Sequence, residues 1–164
     1  MKSRERVFLG LGSNVGDRVK NILSALEELS RLGKLIKVST VYESEPWGVE
    51  DQPPFLNCVV ELKSPLPPKK LLAEVKSIEK KLGRIERTRW GPREIDIDIL
   101  LQDNLVYESE ELKLPHPLIE YRDFVLIPLL ELDTNLINPK SGKAYKDSLP
   151  KIENRLKPFC CIRV

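Results

Sequence analysis

Two aspartates one residue apart, Asp96 and Asp98, lie in the run Glu94-Ile95-Asp96-Ile97-Asp98-Ile99-Leu100-Leu101. Side chains of a strand alternate between its faces, so Ile95, Ile97 and Ile99 share one face, expected to be core. Asp96 and Asp98 share the other, with Cα atoms roughly 6.5–7 Å apart. Two neighbouring carboxylates repel unless a proton or a cation sits between them. Mg²⁺ prefers such oxygens and keeps waters and phosphate oxygens as its other ligands. Alone, a D-x-D reads more simply as the solvated acidic face of a strand.

The preceding loop adds weight to the metal–phosphate reading. Residues 84–93 hold Arg84, Arg87, Arg89 and Arg93 against one acid, Glu86. Arginine forks match phosphate oxygens in bidentate fashion. Gly91-Pro92 makes a stiff bend that aims Arg93 beside the aspartates. Trp90 either closes over a ligand or plugs the core. Further on, His116 stands in Pro115-His116-Pro117 and Arg122 in Arg122-Asp123-Phe124. On its own His116 reads as a structural hydrogen-bonding residue of a Pro-rich turn, and Arg122 as a surface charge. No G-x-x-x-x-G-K-[ST] run is present, which excludes a P-loop kinase. Gly10-Leu11-Gly12-Ser13-Asn14-Val15-Gly16 has the wrong glycine spacing for a dinucleotide fingerprint and reads as a tight β-to-α turn.

The elements that must hold these groups follow from periodicity. Val7 to Leu11 is an apolar strand, and Asp17 caps a helix carrying Val19, Ile22, Leu23, Leu26 and Leu29, with Gly33 at its exit. Lys34 to Tyr42 reads as one strand, with Leu35, Lys37, Ser39 and Val41 on one side and Ile36, Val38 and Thr40 on the other. Glu45 to Pro54 is a loop and Phe55 to Leu62 a third strand. Pro67-Pro68 starts a second helix with the stripe Leu71, Leu72, Val75, Ile78 and Leu82, ended by Gly83. The strand of the two aspartates comes fourth. A short helix over Phe124 to Leu132 begins near Asp123, and the tail after Asn138 carries little signal. The order β-α-β, β-α-β predicts an α+β fold, a ferredoxin-like antiparallel sheet covered by helices, with C-terminal additions.

The 164 residues suffice for one domain, read as 1–164 with a core over about 7–139. With 41% hydrophobic and 32% charged residues the balance is that of a globular chain. No stretch approaches the roughly 20 apolar residues that span a bilayer. The charged start lacks a signal region, so a cytoplasmic protein is expected. Three cysteines without a CxxC pair point the same way, with Cys58 as a core residue. One histidine argues against a His-based zinc site. A net charge of +2 gives no field for nucleic acid.

Taken together, the motifs resemble the 6-hydroxymethyl-7,8-dihydropterin pyrophosphokinase family. They are Leu11-Gly12-Ser13-Asn14, Tyr42-x-Ser44-x-Pro46, Asp51-Gln52-Pro53 with Phe55-Leu56-Asn57, Leu82-Gly83-Arg84, Arg89-Trp90-Gly91-Pro92-Arg93-x-Ile95-Asp96-Ile97-Asp98-Ile99-Leu100, Pro115-His116-Pro117 and Arg122-x-Phe124-Val125-Leu126. The resemblance implies transfer of pyrophosphate from ATP to the pterin hydroxymethyl group, giving AMP, in folate biosynthesis. It implies two Mg²⁺ ions on Asp96 and Asp98, with Arg84 and Arg93 also catalytic. Lys76, Glu79, Arg87, Arg93, Ile99, His116 and Arg122 are expected on ATP. Ser44, Pro46, Trp47, Phe55, Asn57 and Phe124 are expected on the pterin, and Trp90 on a loop that closes over both. The expected partners are these small molecules alone, on a monomer, without nucleic acid or membrane.

The residue types suit the task. Phe55 and Phe124 can stack on a flat bicycle and Asn57 can pair with its edge. Three departures from the family pattern stand out: Glu86 where a second basic residue is usual, Pro117 after His116, and a bulky Trp47. The competing readings are an RNA-binding ferredoxin-like module, disfavoured by the missing aromatic run and near-neutral charge, and a different phosphotransfer enzyme on the same scaffold. A fusion to another folate enzyme is disfavoured by the chain's length.

Overall fold

The computed structural model describes residues 6–44, 53–83 and 94–164. An apolar run forms β1 (Arg6–Ser13), and every second residue of it, Val7, Leu9 and Leu11, is buried in one core. Asp17 accepts the Lys20 amide as N-cap of α1 (Arg18–Leu29), whose Ile22, Ala25, Leu26 and Leu29 pack on that core. β4 (Phe55–Lys63) runs antiparallel to β1, and α2 (Pro68–Lys81) follows with Pro at its first turn. Gly83, at φ +93°, ends the second helical segment in the left-handed region. β5 (Asp96–Gln102) then pairs with the free side of β1.

The strand predicted over Lys34 to Tyr42 is two strands, β2 (Lys34–Val38) and β3 (Val41–Ser44), both paired with β4. The break has a local cause. The Ser39 amide still donates to the Val59 carbonyl (2.9 Å), but the Ser39 hydroxyl accepts the Val59 amide (2.9 Å) in place of the return ladder bond and donates to the Thr40 carbonyl (2.9 Å). A register shift between Leu35 and Lys37 also changes the alternation. Leu35 and Val38 therefore pack on the same core, whereas the Lys37 ammonium reaches the Leu132 carbonyl beyond the opposite face.

The main sheet runs β5-β1-β4-β3-β8, with β2 sharing the outer side of β4. The last strand, β8 (Lys157–Cys160), was not expected. A small hairpin, β6 (Tyr107–Glu108) and β7 (Lys113–Leu114), precedes α3 (Asp123–Leu132). Helices α1 and α2 cover one face. α3 covers part of the other with Val125, Leu126, Leu129 and Leu130 over Phe8, Val59, Leu100 and Leu101. Tyr145, fully buried, completes this second core from a 3-10 turn over Tyr145–Lys151. Cys58 is a buried free thiol, as expected. Among the described residues no helix is long and apolar enough to cross a membrane.

Candidate active site

The part of the second face that α3 leaves uncovered has a floor of small residues. Gly10 and Gly12 lie inside β1 rather than in a turn, and the turn falls at Gly16, with φ +71°. Their cross-strand partners define two rows. Gly12 stands between Asp96 of β5 and Asn57 of β4, and Asn57 is paired with Tyr42 of β3. Gly10 stands between Asp98 and Val59. A Cβ at Gly12 would come within 2.9 Å of Asn57 Oδ1 and 3.7 Å of the Phe55 ring. Gly12 thus lets Asn57 and Phe55 pack close over β1, and Gly10 does the same for the Leu100 side chain; the trough is the strip of this face between the Asn57–Phe55 pair and the two aspartates.

β5 presents its residues as their alternation demands. Ile95, Ile97 and Ile99 are buried in the core under α1 and α2. Asp96 and Asp98 are half-buried on the trough face. Among the described residues, no group of three or more His, Cys, Asp or Glu side chains is gathered as for a metal. Two carboxylates on one strand face nevertheless suit a hard cation that completes its shell with water and phosphate oxygens.

The outer edge of β5 is tied down on both sides of Asp98. Glu79, buried on α2, accepts the Ile97 amide at Oε2 (2.7 Å). The His116 amide donates to the Leu100 carbonyl (2.9 Å). Leu9↔Ile99 and Leu11↔Ile97 are equivalent pairs across β1, so the Ile99 N–H and C=O also point to this edge. The Ile99 side chain is in the core, so a nucleotide contact from this residue falls to its backbone.

His116 Nδ1 accepts the Leu118 amide (3.1 Å), which leaves the proton of a neutral ring on Nε2. Burial, helped by the positive Arg122, pushes the imidazole down from 6.5 to about 4. It is therefore a neutral donor at physiological pH. Burial also lowers the Arg122 guanidinium, while Asp98 and then Asp96 pull it back up, which places that charge within reach of both carboxylates. The same guanidinium lies 5.5 Å from the centre of the Phe124 ring.

Two hollows flank this arrangement. One, of about 360 Å³, is lined by Lys76, Glu79, Asp96, Asp98, Ile99 and His116 among others. It gathers all the nucleotide-side residues expected from the sequence in the described segments, save Arg122. The other, of about 620 Å³, is lined by Ser44, Arg122, Phe124 and residues of the C-terminal segment such as Lys143 and Arg155. Ser44 Oγ accepts from Asn57 Nδ2 (2.6 Å), joining this hollow to the trough. Pro46, Trp47, Arg84, Arg87, Trp90 and Arg93, with the departure Glu86, lie outside the described residues. Sequence reasoning missed Gly10 and Gly12 as floor residues. The signal was there, because two glycines at i and i+2 inside an apolar strand give one face no side chains of its own and admit close neighbours.

Residues 8–134 match the family model described as 7,8-dihydro-6-hydroxymethylpterin-pyrophosphokinase. The chain is 54% identical over 156 residues to the 2-amino-4-hydroxy-6-hydroxymethyldihydropteridine pyrophosphokinase of Aquifex aeolicus, covering 95% of this chain and 96% of that one. The enzyme of the same name from Haemophilus influenzae is 39% identical over 82% of this chain and 85% of its own. A match of 42% to the folic acid synthesis protein fol1 of Pneumocystis carinii covers 94% of this chain but 21% of that longer protein. A crystal structure of Plasmodium falciparum HPPK-DHPS superposes with a TM-score of 0.72 at 16% identity, over 92% of this chain and 46% of that one. At that identity the likeness speaks for the fold.

Proposed function

From the premise that the chain belongs to the 7,8-dihydro-6-hydroxymethylpterin-pyrophosphokinase family, we propose how its own residues carry the reaction. The protein is a pyrophosphokinase of folate biosynthesis, and it uses ATP. In our reading it transfers the pyrophosphate of ATP to the hydroxymethyl oxygen of 6-hydroxymethyl-7,8-dihydropterin, releasing AMP. The observation that carries this is the pair Asp96 and Asp98 between a cleft holding His116 and Lys76 and a trough holding Asn57 and Phe55.

The nucleotide lies along the outer edge of β5. The Ile99 backbone offers a donor and an acceptor to its base, and Glu79 keeps that edge straight by holding the Ile97 amide. Lys76, exposed on α2, supplies a mobile charge to the phosphates. His116 donates from Nε2 without bringing a full charge, and Arg122 adds one from the other side. The pterin rests on Gly12, its edge against Asn57 and Ser44, its faces between Phe55 and Phe124. Asp96 and Asp98 would hold Mg²⁺, which when bound neutralises phosphate charge and orients the oxygens for in-line displacement. Arg84, Arg87 and Arg93, with Pro46, Trp47 and Trp90, keep the phosphate, pterin and loop-closing roles that the resemblance gives them.

Attack at the β-phosphorus rather than the γ is the distinguishing feature. Incubating the protein with ATP, Mg²⁺ and hydroxymethyldihydropterin should yield AMP and a pterin diphosphate in equal amounts. Formation of ADP would mean single phosphoryl transfer and would overturn the mechanism.

A further inference from the structure

A cation outside the proposed machinery ties together four segments around the pterin trough. Arg18 is the first residue of α1, and its side chain is 23% exposed. Its Nη1 donates to the Pro54 carbonyl (2.9 Å) and to Glu43 Oε2 (3.0 Å). Its guanidinium lies 5.4 Å from the centre of the Phe159 ring on β8. The neighbouring Pro53 carbonyl accepts from Asn14 Nδ2 (2.9 Å), and Asn14 is 1% exposed.

The targets are informative. A Pro-Pro pair has no N–H, so its carbonyls are the only backbone groups through which it can be fixed. Both are taken, one by Asn14 and one by Arg18. Pro54 directly precedes Phe55, and Glu43 directly precedes Ser44, while Ser44 and Phe55 are cross-strand partners. Arg18 therefore staples the β3–β4 pair at the point where it delivers the ring and the hydroxyl to the trough. Phe159 backs the staple from a strand beyond residues 8–134, so this contact lies outside the segment shared with the family model.

We infer that Arg18 is a positioning residue for the pterin, clamping Pro54 and Glu43 under the cover of Phe159, and that β8 thereby tunes pterin affinity. The inference rests on the assignment of Phe55, Ser44 and Asn57 to the pterin. Arg18 touches no substrate in this scheme. Its effect reaches the substrate through the placing of Phe55 and Ser44.

The test separates the two substrates. Steady-state rates are measured with pterin varied at saturating ATP and with ATP varied at saturating pterin. Loss of a charge-assisted clamp should raise the pterin KM of Arg18→Ala about tenfold. The ATP KM should stay within about twofold, because the nucleotide edge is built on β5 and α2, away from the clamp. Arg18→Lys keeps the charge and loses the planar fork, so it should fall between wild type and alanine. Phe159→Leu keeps an apolar cover and removes the ring face; a pterin KM raised about threefold is expected. A lowered melting temperature with an unchanged pterin KM would reduce Arg18 to a stability residue and overturn the inference. A parallel rise in both KM values would overturn it equally. Should Arg18→Ala fail to fold, Arg18→Lys and Phe159→Leu decide by the same criterion. Wild-type protein that makes no AMP from the two substrates would instead refute the functional reading itself, and this inference with it.

Discussion

Asp96 and Asp98 lie on one face of β5, where a proton or a cation offsets their mutual repulsion. Asp96→Ala should cost orders of magnitude in turnover while the protein stays folded, since the side chain is half-buried on the trough rather than packed in a core. Mg²⁺-dependent AMP formation and circular dichroism on the same sample check both halves. Gly12→Ala places a methyl group 2.9 Å from Asn57 Oδ1, so Asn57 or the floor must give way. Its pterin KM should rise about tenfold, the worth of one displaced hydrogen bond in a buried site. An unchanged pterin KM would remove Gly12 from the floor. His116 offers a direct titration, being the only histidine in the chain. Its folded value of about 4 lies below the ordinary 6.5, so between those limits the unfolded chain binds more protons. The neutral ring's contribution to stability is therefore complete above about 6.5 and lost as pH falls through about 4. Imidazole NMR signals should titrate near 4 in the free protein and shift upward when ATP brings negative charge to Nε2. A value near 6.5 without ligand would contradict the buried, neutral donor.

At the scale of elements, β5 works because its exposed edge is closed by groups that are not strands. Glu79 takes the Ile97 amide and the His116 backbone takes in turn the Leu100 carbonyl. Glu79→Ala leaves a buried N–H unpaired and should cost about 1–3 kcal/mol in urea unfolding. Glu79→Gln keeps an acceptor and should recover most of that. Equal losses in the two variants would assign Glu79 an ionic role instead. The alternation of β5 was legible because Ile-Asp-Ile-Asp states both faces at once, and α1 and α2 were legible from their apolar stripes and end signals. The split between β2 and β3 was not. It depends on a Ser39 hydroxyl replacing one ladder bond to a residue twenty positions away, and Thr-Val-Tyr after it reads as continuous strand. The shift past Ile36 was hidden for the same reason, since a bulge moves side chains between faces without changing composition. Within the site, single residues with distinctive chemistry could be read in sequence. The Arg18 clamp could not, because it is defined by partners that only folding brings near.

On the scale of the whole molecule, one sheet separates two cores of unlike purpose. The α1–α2 side is a closed core, whereas α3 covers part of the other face and leaves the rest to the proposed site. The tail after Asn138, silent in sequence, supplies Tyr145 to that second core and β8 to the sheet edge. Tyr145→Ala should cost about 3–5 kcal/mol in denaturant unfolding, as for other large buried aromatics. Its hydroxyl has no hydrogen-bond partner among the described residues, so Tyr145→Phe should leave stability unchanged or raise it. A large loss in the phenylalanine variant would mean that the hydroxyl has a partner. The most direct test of the account is a crystal of the protein with an unreactive ATP analogue, the pterin and Mn²⁺ in place of Mg²⁺, read by anomalous scattering. Metal density bound by both Asp96 and Asp98 is expected, with the triphosphate between His116 and the pterin on Gly12. Metal and triphosphate lodged away from those two carboxylates would contradict it.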